Sequence, residues 1–470
     1  MAWLMTGRLI YTAERRDRMS VVEDEQHAKS PRLVRALGTW DVSLITFSTI
    51  VGSAIFIAAS IVPRAAPNPT LVLLLWAIGG LVTLAGVFTY AELGTMFPEA
   101  GGAYQFLKEA YGPLWGFLFG WTSFLVIQTG SIAYLAVAAA EGASELWPGL
   151  GIFGGKFGGA LLIAVVTLVN YFGLQAGASL QNAIAAVKIL SMVALIVFGL
   201  VATPESATAA PAALSTDAIS LSALGVAMIG VLWCFDGWYQ AAFCAGEIRD
   251  PARNLPRGMI LGALTTAALF LLINIVYLRA LPPQELGEAS RIGEAAAHSL
   301  FGAGPARLMS VAVLVSIVGC LATCILTAAR IYLPMAQDGL FFHALAKIHP
   351  VHLTPGACLI AQAVWSILLV YTGSYEQLGT YVIFAVFVFH AATGAAIFVL
   401  RRRRPDWPRP YRAWGYPWTP AIFIITALAF VFNTLVERPI ESLWGLGIVV
   451  VGVPAYAWWR RRLHAAPSAL

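Results

Sequence analysis

The sequence predicts an all-α integral membrane protein of twelve membrane-spanning helices, and three observations predict it. The chain has 470 residues, 59% hydrophobic and only 11% charged, whereas soluble domains carry roughly 25% charged residues. Its mean hydropathy is +0.77. Twelve apolar runs are long enough to cross a bilayer. They lie near 41–63, 71–94, 114–141, 157–174, 179–202, 218–246, 258–280, 306–333, 356–373, 376–400, 418–437 and 441–459.

Two of these runs are interrupted, the first at Gly52-Ser53-Ala54 and the sixth at Phe235-Asp236-Gly237. A break inside lipid leaves backbone N–H and C=O groups unpartnered at several kcal/mol each, so it survives only inside protein or against a polar cavity. Two broken helices in corresponding positions of two halves point to a small-molecule transport site near mid-membrane.

The loops and tails complete the topology. The bias of Lys and Arg sets orientation: 22 of the 29 fall on the side that holds both termini and six on the other, with Lys188 inside a span. Both termini are therefore expected in the cytoplasm, in a bacterial inner (plasma) membrane. The pI near 9.0 reports this topology and gives no support to nucleic-acid binding. Residues 1–37 carry no signal peptide and read as a mobile arm, with Met19 as an alternative start. Residues 38–404 form the ten-span core, 405–460 a Pro/Trp/Tyr-rich link and the last two spans, and 461–470 a tail. Gly101-Gly102 ahead of an amphipathic stretch ending at Gly112-Pro113 predicts an interfacial helix. The polar segment 281–305 predicts a short helix over the external mouth. Arg401–Arg404 with Pro405 stop the tenth span.

Five cysteines, Cys234, Cys244, Cys320, Cys324 and Cys358, all lie in or at the ends of apolar spans, so no disulfide-linked partner subunit is expected. Cys320 and Cys324, one turn apart, read as packing rather than metal ligands. No nucleophile–base pair, metal-ligand spacing or phosphate loop is present, so neither an enzyme nor a cofactor or metal site is expected; the partners are a small molecule and the lipid bilayer.

The family resemblance rests on five motifs in register over roughly 38–420. Gly52-Ser53-Ala54-Ile55-Phe56 resembles the Gly-Ser-Gly-Ile-Phe motif of amino acid–polyamine–organocation (APC) transporters. Ala91-Glu92-Leu93-Gly94 leading to Phe97-Pro98-Glu99-Ala100-Gly101-Gly102-Ala103-Tyr104 is similar to their second-span signature. Phe235-Asp236-Gly237-Trp238, with Gly246-Glu247 and Asp250-Pro251, resembles the L-type amino acid transporter (LAT) branch, especially its bacterial members. So do Ala329-Arg330-Ile331-Tyr332 and Pro405-Asp406-Trp407-Pro408. The resemblance implies a LeuT-type fold, spans one to five and six to ten forming inverted repeats with substrate between broken helices 1 and 6. The expected function is sodium-independent exchange of neutral L-amino acids by alternating access, with small or medium side chains because Ala54 and Trp233 would consume pocket volume. A proton-coupled symporter, a cationic amino acid or polyamine transporter and a non-transporting sensor stand as alternatives.

A zwitterionic substrate needs N–H donors for its carboxylate and carbonyls for its ammonium. Gly52, Ser53 and Ala54 offer the donors; by resemblance the carbonyls of Ile50 and Trp233 take the ammonium, with Cys234, Phe235, Asp236 and Gly237 completing the site and Trp238 gating it. Ala54 stands where Gly is usual and narrows the pocket floor; Trp233 either consumes volume or points away. Asp236 either caps the second half of helix 6, titrates, or meets a cationic substrate. Lys188 either replaces a sodium ion by bridging spans one and eight, as the resemblance implies, acting as a fixed charge or by releasing a proton, or it snorkels. His390 reads as a packed helix–helix hydrogen bond or a proton relay. Tyr134, Gln128, Ser316 and Phe384 are further lining candidates, and Glu92 and Glu247 are gate or loop anchors.

Overall fold

A computed structural model describes residues 33–202, 221–372 and 375–465. The expected arm up to residue 32, the alternative start at Met19 and the last five residues lie outside the described residues. The described part is helical, and its only strand-like pairing is an isolated bridge between Leu37 and Ile248.

Chain order begins with α1 (Thr39–Ile50), α2 (Ile61–Ala65), α3 (Pro69–Met96), α4 (Ala103–Tyr111) and α5 (Pro113–Leu146). It continues with α6 (Lys156–Tyr171), α7 (Leu174–Val201), α8 (Leu221–Cys234), a 3-10 segment (Trp238–Glu247) and α9 (Pro251–Ala280). Two short helices, α10 (Pro283–Glu288) and α11 (Ile292–Phe301), precede α12 (Ala303–Gln337), α13 (Gly356–Thr372), α14 (Tyr375–Arg403), α15 (Trp418–Glu437) and α16 (Pro439–Ala465).

Among the described residues, eight helices are long and apolar enough to cross a membrane. The remaining apolar runs are held by shorter or broken elements: α1 with α2, α6 after a 72° bend, α8 with its 3-10 segment, and α13. Exposed Leu74, Ile78 and Leu81 on α3, Leu161, Val165 and Leu168 on α6, and Ile425, Phe432 and Val436 on α15 form outward apolar stripes. A surface this apolar suits lipid. The last two helices are the least buried of the eight, so they lie at the periphery.

Local chemistry starts and stops the elements. The Asp41 carboxylate accepts from Gly38 N–H at 2.8 Å and caps α1, while Asn68 Oδ1 accepts from Leu71 N–H at 3.1 Å ahead of Pro69 and starts α3. In α5 the turn Ser123–Ile127 is π-helical, and the Thr129 hydroxyl donates to the Phe124 carbonyl five residues back, at 2.7 Å. A widened turn shifts the facing of every later residue in the helix, Ser131 and Tyr134 among them.

Several sequence expectations meet a different structure. The helix after Gly101-Gly102 is present as α4, but Tyr104, Phe106 and Leu107 are buried in protein rather than laid on a lipid surface. Burial, then the Asp338 carboxylate 2.7 Å from its hydroxyl, pushes the Tyr104 phenol well above its usual range, so it remains a donor. Segment 281–305 carries two helices; Gly293 N–H donates to Phe56 O at 3.1 Å and fixes α11 against the first break. The last helix runs to Ala465, past the expected end at 460, because nothing helix-breaking intervenes and Arg462 packs its guanidinium 3.8 Å from the Trp458 ring. Residues 36–37 are not a free arm: their N–H groups both donate to Glu247 O at 2.9 Å.

Two ion pairs, one buried on both sides and one joining buried Glu92 to the part-exposed Arg401, tie the bundle at the end that carries Gly38. Arg330 donates to both Glu247 oxygens, at 2.7 and 2.9 Å, with both side chains buried. Arg401 does the same to Glu92 at 2.9 and 2.6 Å, and Ala413 N–H adds a third donor at 2.6 Å. Removing one partner of a buried pair leaves an uncompensated charge. Arg330→Met is therefore expected to destabilise the detergent-purified protein by about 3–5 kcal/mol, measured by unfolding, and Arg330→Met with Glu247→Gln to recover most of that loss. An unaltered melting profile for the single variant would contradict the assignment.

Candidate functional site

The α1 helix ends at Ile50, and Val51 leaves helical geometry at φ −80°, ψ 85°. Its last carbonyls are met by side chains from two other helices. Lys188 Nζ, on α7, donates to Ser48 O at 3.2 Å, to Ser48 Oγ at 3.0 Å and to Val51 O at 2.8 Å. Ser316 Oγ, on α12, reaches Val51 O at 3.1 Å and Gly52 O at 3.0 Å. A cation at a helix C-terminus opposes the negative end of its dipole. Lys188 is 1% exposed, so the snorkelling alternative is excluded. Gly319 makes room for it: a Cβ there would stand 2.8 Å from Lys188 Cε.

The donor side of the same break is open. Phe56 and Ile57 N–H both return to Ser53 O, at 3.0 and 2.9 Å, but the N–H groups of Ser53, Ala54 and Ile55 have no partner among the described residues. The second break faces this one backbone to backbone. Gly237 has φ +106°, and a Cβ on it would lie 2.5 Å from Thr49 O, so glycine is required there on two counts. Gly52 is less constrained, its nearest neighbour being Cys320 Sγ at 3.4 Å.

Between the breaks lies a cavity of about 110 Å³. Of the residues singled out from sequence, Ile50, Gly52, Ser53, Ala54, Trp233, Asp236, Gly237 and Tyr134 line it. Cys234 and Phe235 do not: Phe235 packs behind the break against Trp76 and Phe270, with ring centroids 5.9 and 5.0 Å away. Phe384 lies against Gly445 of α16, and Ser316 is spent on the α1 carbonyls. Thr49, Ser131, Leu135, Gln240, Cys320 and Cys324 also line the cavity. The apolar runs containing them gave no signal for which face turns inward. Gln240 is held by the Thr327 hydroxyl, which donates to its Oε1 at 2.7 Å.

Asp236 does not cap the second half of helix 6. The residue before that 3-10 segment is Gly237, and no side chain caps it. Asp236 Oδ1 instead faces His390 Nε2 at 3.5 Å, and His390 Nδ1 lies 3.0 Å from the Tyr90 hydroxyl. Trp238 stacks on the imidazole at 5.5 Å and 18°. Among the described residues no group of His, Cys, Asp and Glu has metal-ligand geometry.

All five cysteines are free and buried, but only Cys320 and Cys324 line the cavity. A small neutral thiol reagent is expected to label these two in the native protein well before Cys234, Cys244 and Cys358, as read by peptide mass spectrometry. Equal labelling of all five would contradict this cavity.

Comparison with known proteins agrees with the motifs. The sequence profile of the family described as "Amino acid permease" matches residues 37–453. The serine/threonine exchanger SteT of Bacillus subtilis (strain 168) is 29% identical over 441 residues, covering 93% of this chain and 99% of that protein. The b(0,+)-type amino acid transporter 1 of Mus musculus is 28% identical, over 91% of this chain and 88% of its own. Large neutral amino acids transporter small subunit 2 of Homo sapiens is 27% identical, over 92% and 82%. The chain therefore belongs to the amino acid permease family and is a multi-pass membrane transporter, not an enzyme.

Proposed function

We propose that the chain exchanges small or medium neutral L-amino acids across the membrane by alternating access and without sodium. The observation that carries this reading is the pair of unlike faces at the first break. Two adjacent N–H groups, of the cavity-lining Ser53 and Ala54, have no partner among the described residues. Such a pair fits a carboxylate, which accepts several N–H bonds at once. The substrate ammonium then lies toward the carbonyls of Ile50 and Trp233, each of which holds one backbone bond and keeps a second lone pair. Asp236, in the cavity wall, supplies the nearby negative charge.

The size of the substrate is set by the residues that close the space, among them Trp233, Tyr134 and Ala54 in the cavity lining. The serine/threonine exchanger among the relatives supports small side chains and an exchange cycle. Sodium independence is supported by Lys188, whose ammonium occupies the carbonyl oxygens that a hard cation needs. We assign the chain twelve spans, with an inverted repeat of five and five helices enclosing the site and both termini cytoplasmic, on the strength of the family motifs and the Lys/Arg bias.

The test is counterflow in proteoliposomes. Labelled L-serine is expected to enter vesicles preloaded with unlabelled L-serine, to enter empty vesicles hardly at all, and to be indifferent to replacing Na⁺ with choline. Equal uptake by empty vesicles, or loss of uptake without sodium, would overturn the reading.

A further inference from the structure

Gln240 is a polar residue of the cavity lining that neither end of the zwitterion uses. It stands in the 3-10 segment, is 5% exposed, and its amide is gripped firmly at one end only. The Thr327 hydroxyl of α12 lies 2.7 Å from Gln240 Oε1 and 2.9 Å from Thr323 O. It therefore holds the amide whichever way that group is turned. It donates to Oε1, or it donates to Thr323 O and accepts from Nε2. The other end of the amide has only the Cys324 thiol among the described residues, 3.7 Å away. Sulfur is a weak partner as donor and as acceptor, so one end of a buried amide is poorly met by the protein.

Thr49, Ser131 and Asp236, also in the lining, are committed elsewhere. Thr49 donates to Ile45 O or Thr46 O, Ser131 donates to Ile127 O, and Asp236 faces His390. The position of Gln240 follows from α12, where Ser316, Cys320 and Cys324 succeed one another by single turns. The first two reach carbonyls of Thr49, Val51 and Gly52, and the third reaches Gln240. The amide thus lies one turn, about 6 Å, along α12 from the first break. A hydroxyl two bonds of about 1.5 Å from the substrate Cα, with a hydrogen bond of about 2.8 Å, covers most of that distance.

We propose that Gln240, positioned by Thr327, reads the substrate side chain and favours a short one bearing a hydroxyl over one of the same shape without it. This rests on the exchange reading above. A hydroxyl both donates and accepts, so it pairs with whichever end of the amide faces it. Valine has the shape of threonine with a methyl in place of the hydroxyl. It fits the same space but leaves the amide desolvated and unmet, and a site built to hydrogen-bond a hydroxyl rejects the analogue that lacks it. Alanine bears the same relation to serine.

The experiment uses the full chain in proteoliposomes preloaded with L-serine. Entry of labelled L-serine is competed by unlabelled L-threonine or L-valine, and the ratio of their half-inhibitory concentrations is read within each protein, so that a general loss of rate cancels. Wild type is expected to prefer threonine by about tenfold. Gln240→Met, which keeps the length of the side chain and removes both amide functions, is expected to bring the ratio close to one. Thr327→Val, which keeps the volume and releases the amide, is expected to lower it partway. A residue that only tied the 3-10 segment to α12 would weaken both competitors alike. Equal competition by threonine and valine in wild type, or an unchanged ratio in both variants, overturns the assignment of Gln240 and leaves the exchange reading standing. Absence of exchange in wild type overturns the exchange reading; equilibrium binding of threonine and valine to the purified protein then reads the same ratio, and equal affinities there overturn the role of Gln240 as well.

Discussion

The contact on which the site depends is Lys188 against the end of α1. A helix that stops inside a membrane exposes carbonyls as well as N–H groups, and both are costly there. Lys188 bonds Ser48 O and Val51 O, Ser316 shares Val51 O and takes Gly52 O, and Cys320 Sγ–H reaches Thr49 O at 3.5 Å. The acceptor end of the break is thus filled by the protein itself. The donor end, at Ser53 and Ala54, has no partner among the described residues, and the proposed carboxylate site rests on this asymmetry.

The rest of the architecture keeps that asymmetry in place. Gly319 lets α7 and α12 approach closely enough for the ammonium to arrive. Gly237 brings the second break to within contact of Thr49 O, so the two breaks share one wall rather than two separate pockets. Phe235 anchors the second break from behind on Trp76 and Phe270, while Asp236 and Trp233 line the cavity. At the Gly38 end, Arg330–Glu247 ties α12 to the 3-10 segment and Arg401–Glu92 ties α14 to α3.

Much of this was legible in sequence, for identifiable reasons. The breaks announced themselves because small and polar residues interrupt apolar runs, and Lys188 because a charge in such a run must find partners. Glu92 and Glu247 stood at helix ends and were readable as anchors. The hidden features depend on distance or on helix face. The polar partner that the Asp236 carboxylate faces is His390, 154 residues later, so a local capping rule gave the wrong partner. Cys234 and Phe235 adjoin Asp236 in sequence, yet their side chains line neither cavity. Gln240, Cys320 and Cys324 reach the cavity from uniformly apolar surroundings, where periodicity has no polar face to mark. The second half of helix 6 is a 3-10 segment, a difference that hydropathy does not encode.

The central claim is that the N–H groups of Ser53 and Ala54, which have no partner among the described residues, bind a carboxylate. Equilibrium binding of L-serine and of L-serine methyl ester to the purified protein tests it most directly. Hydrogen bonds to a charged group contribute about 1.5–3 kcal/mol each, so esterification is expected to weaken binding by at least about tenfold. Equal affinity for the acid and its ester would contradict the account.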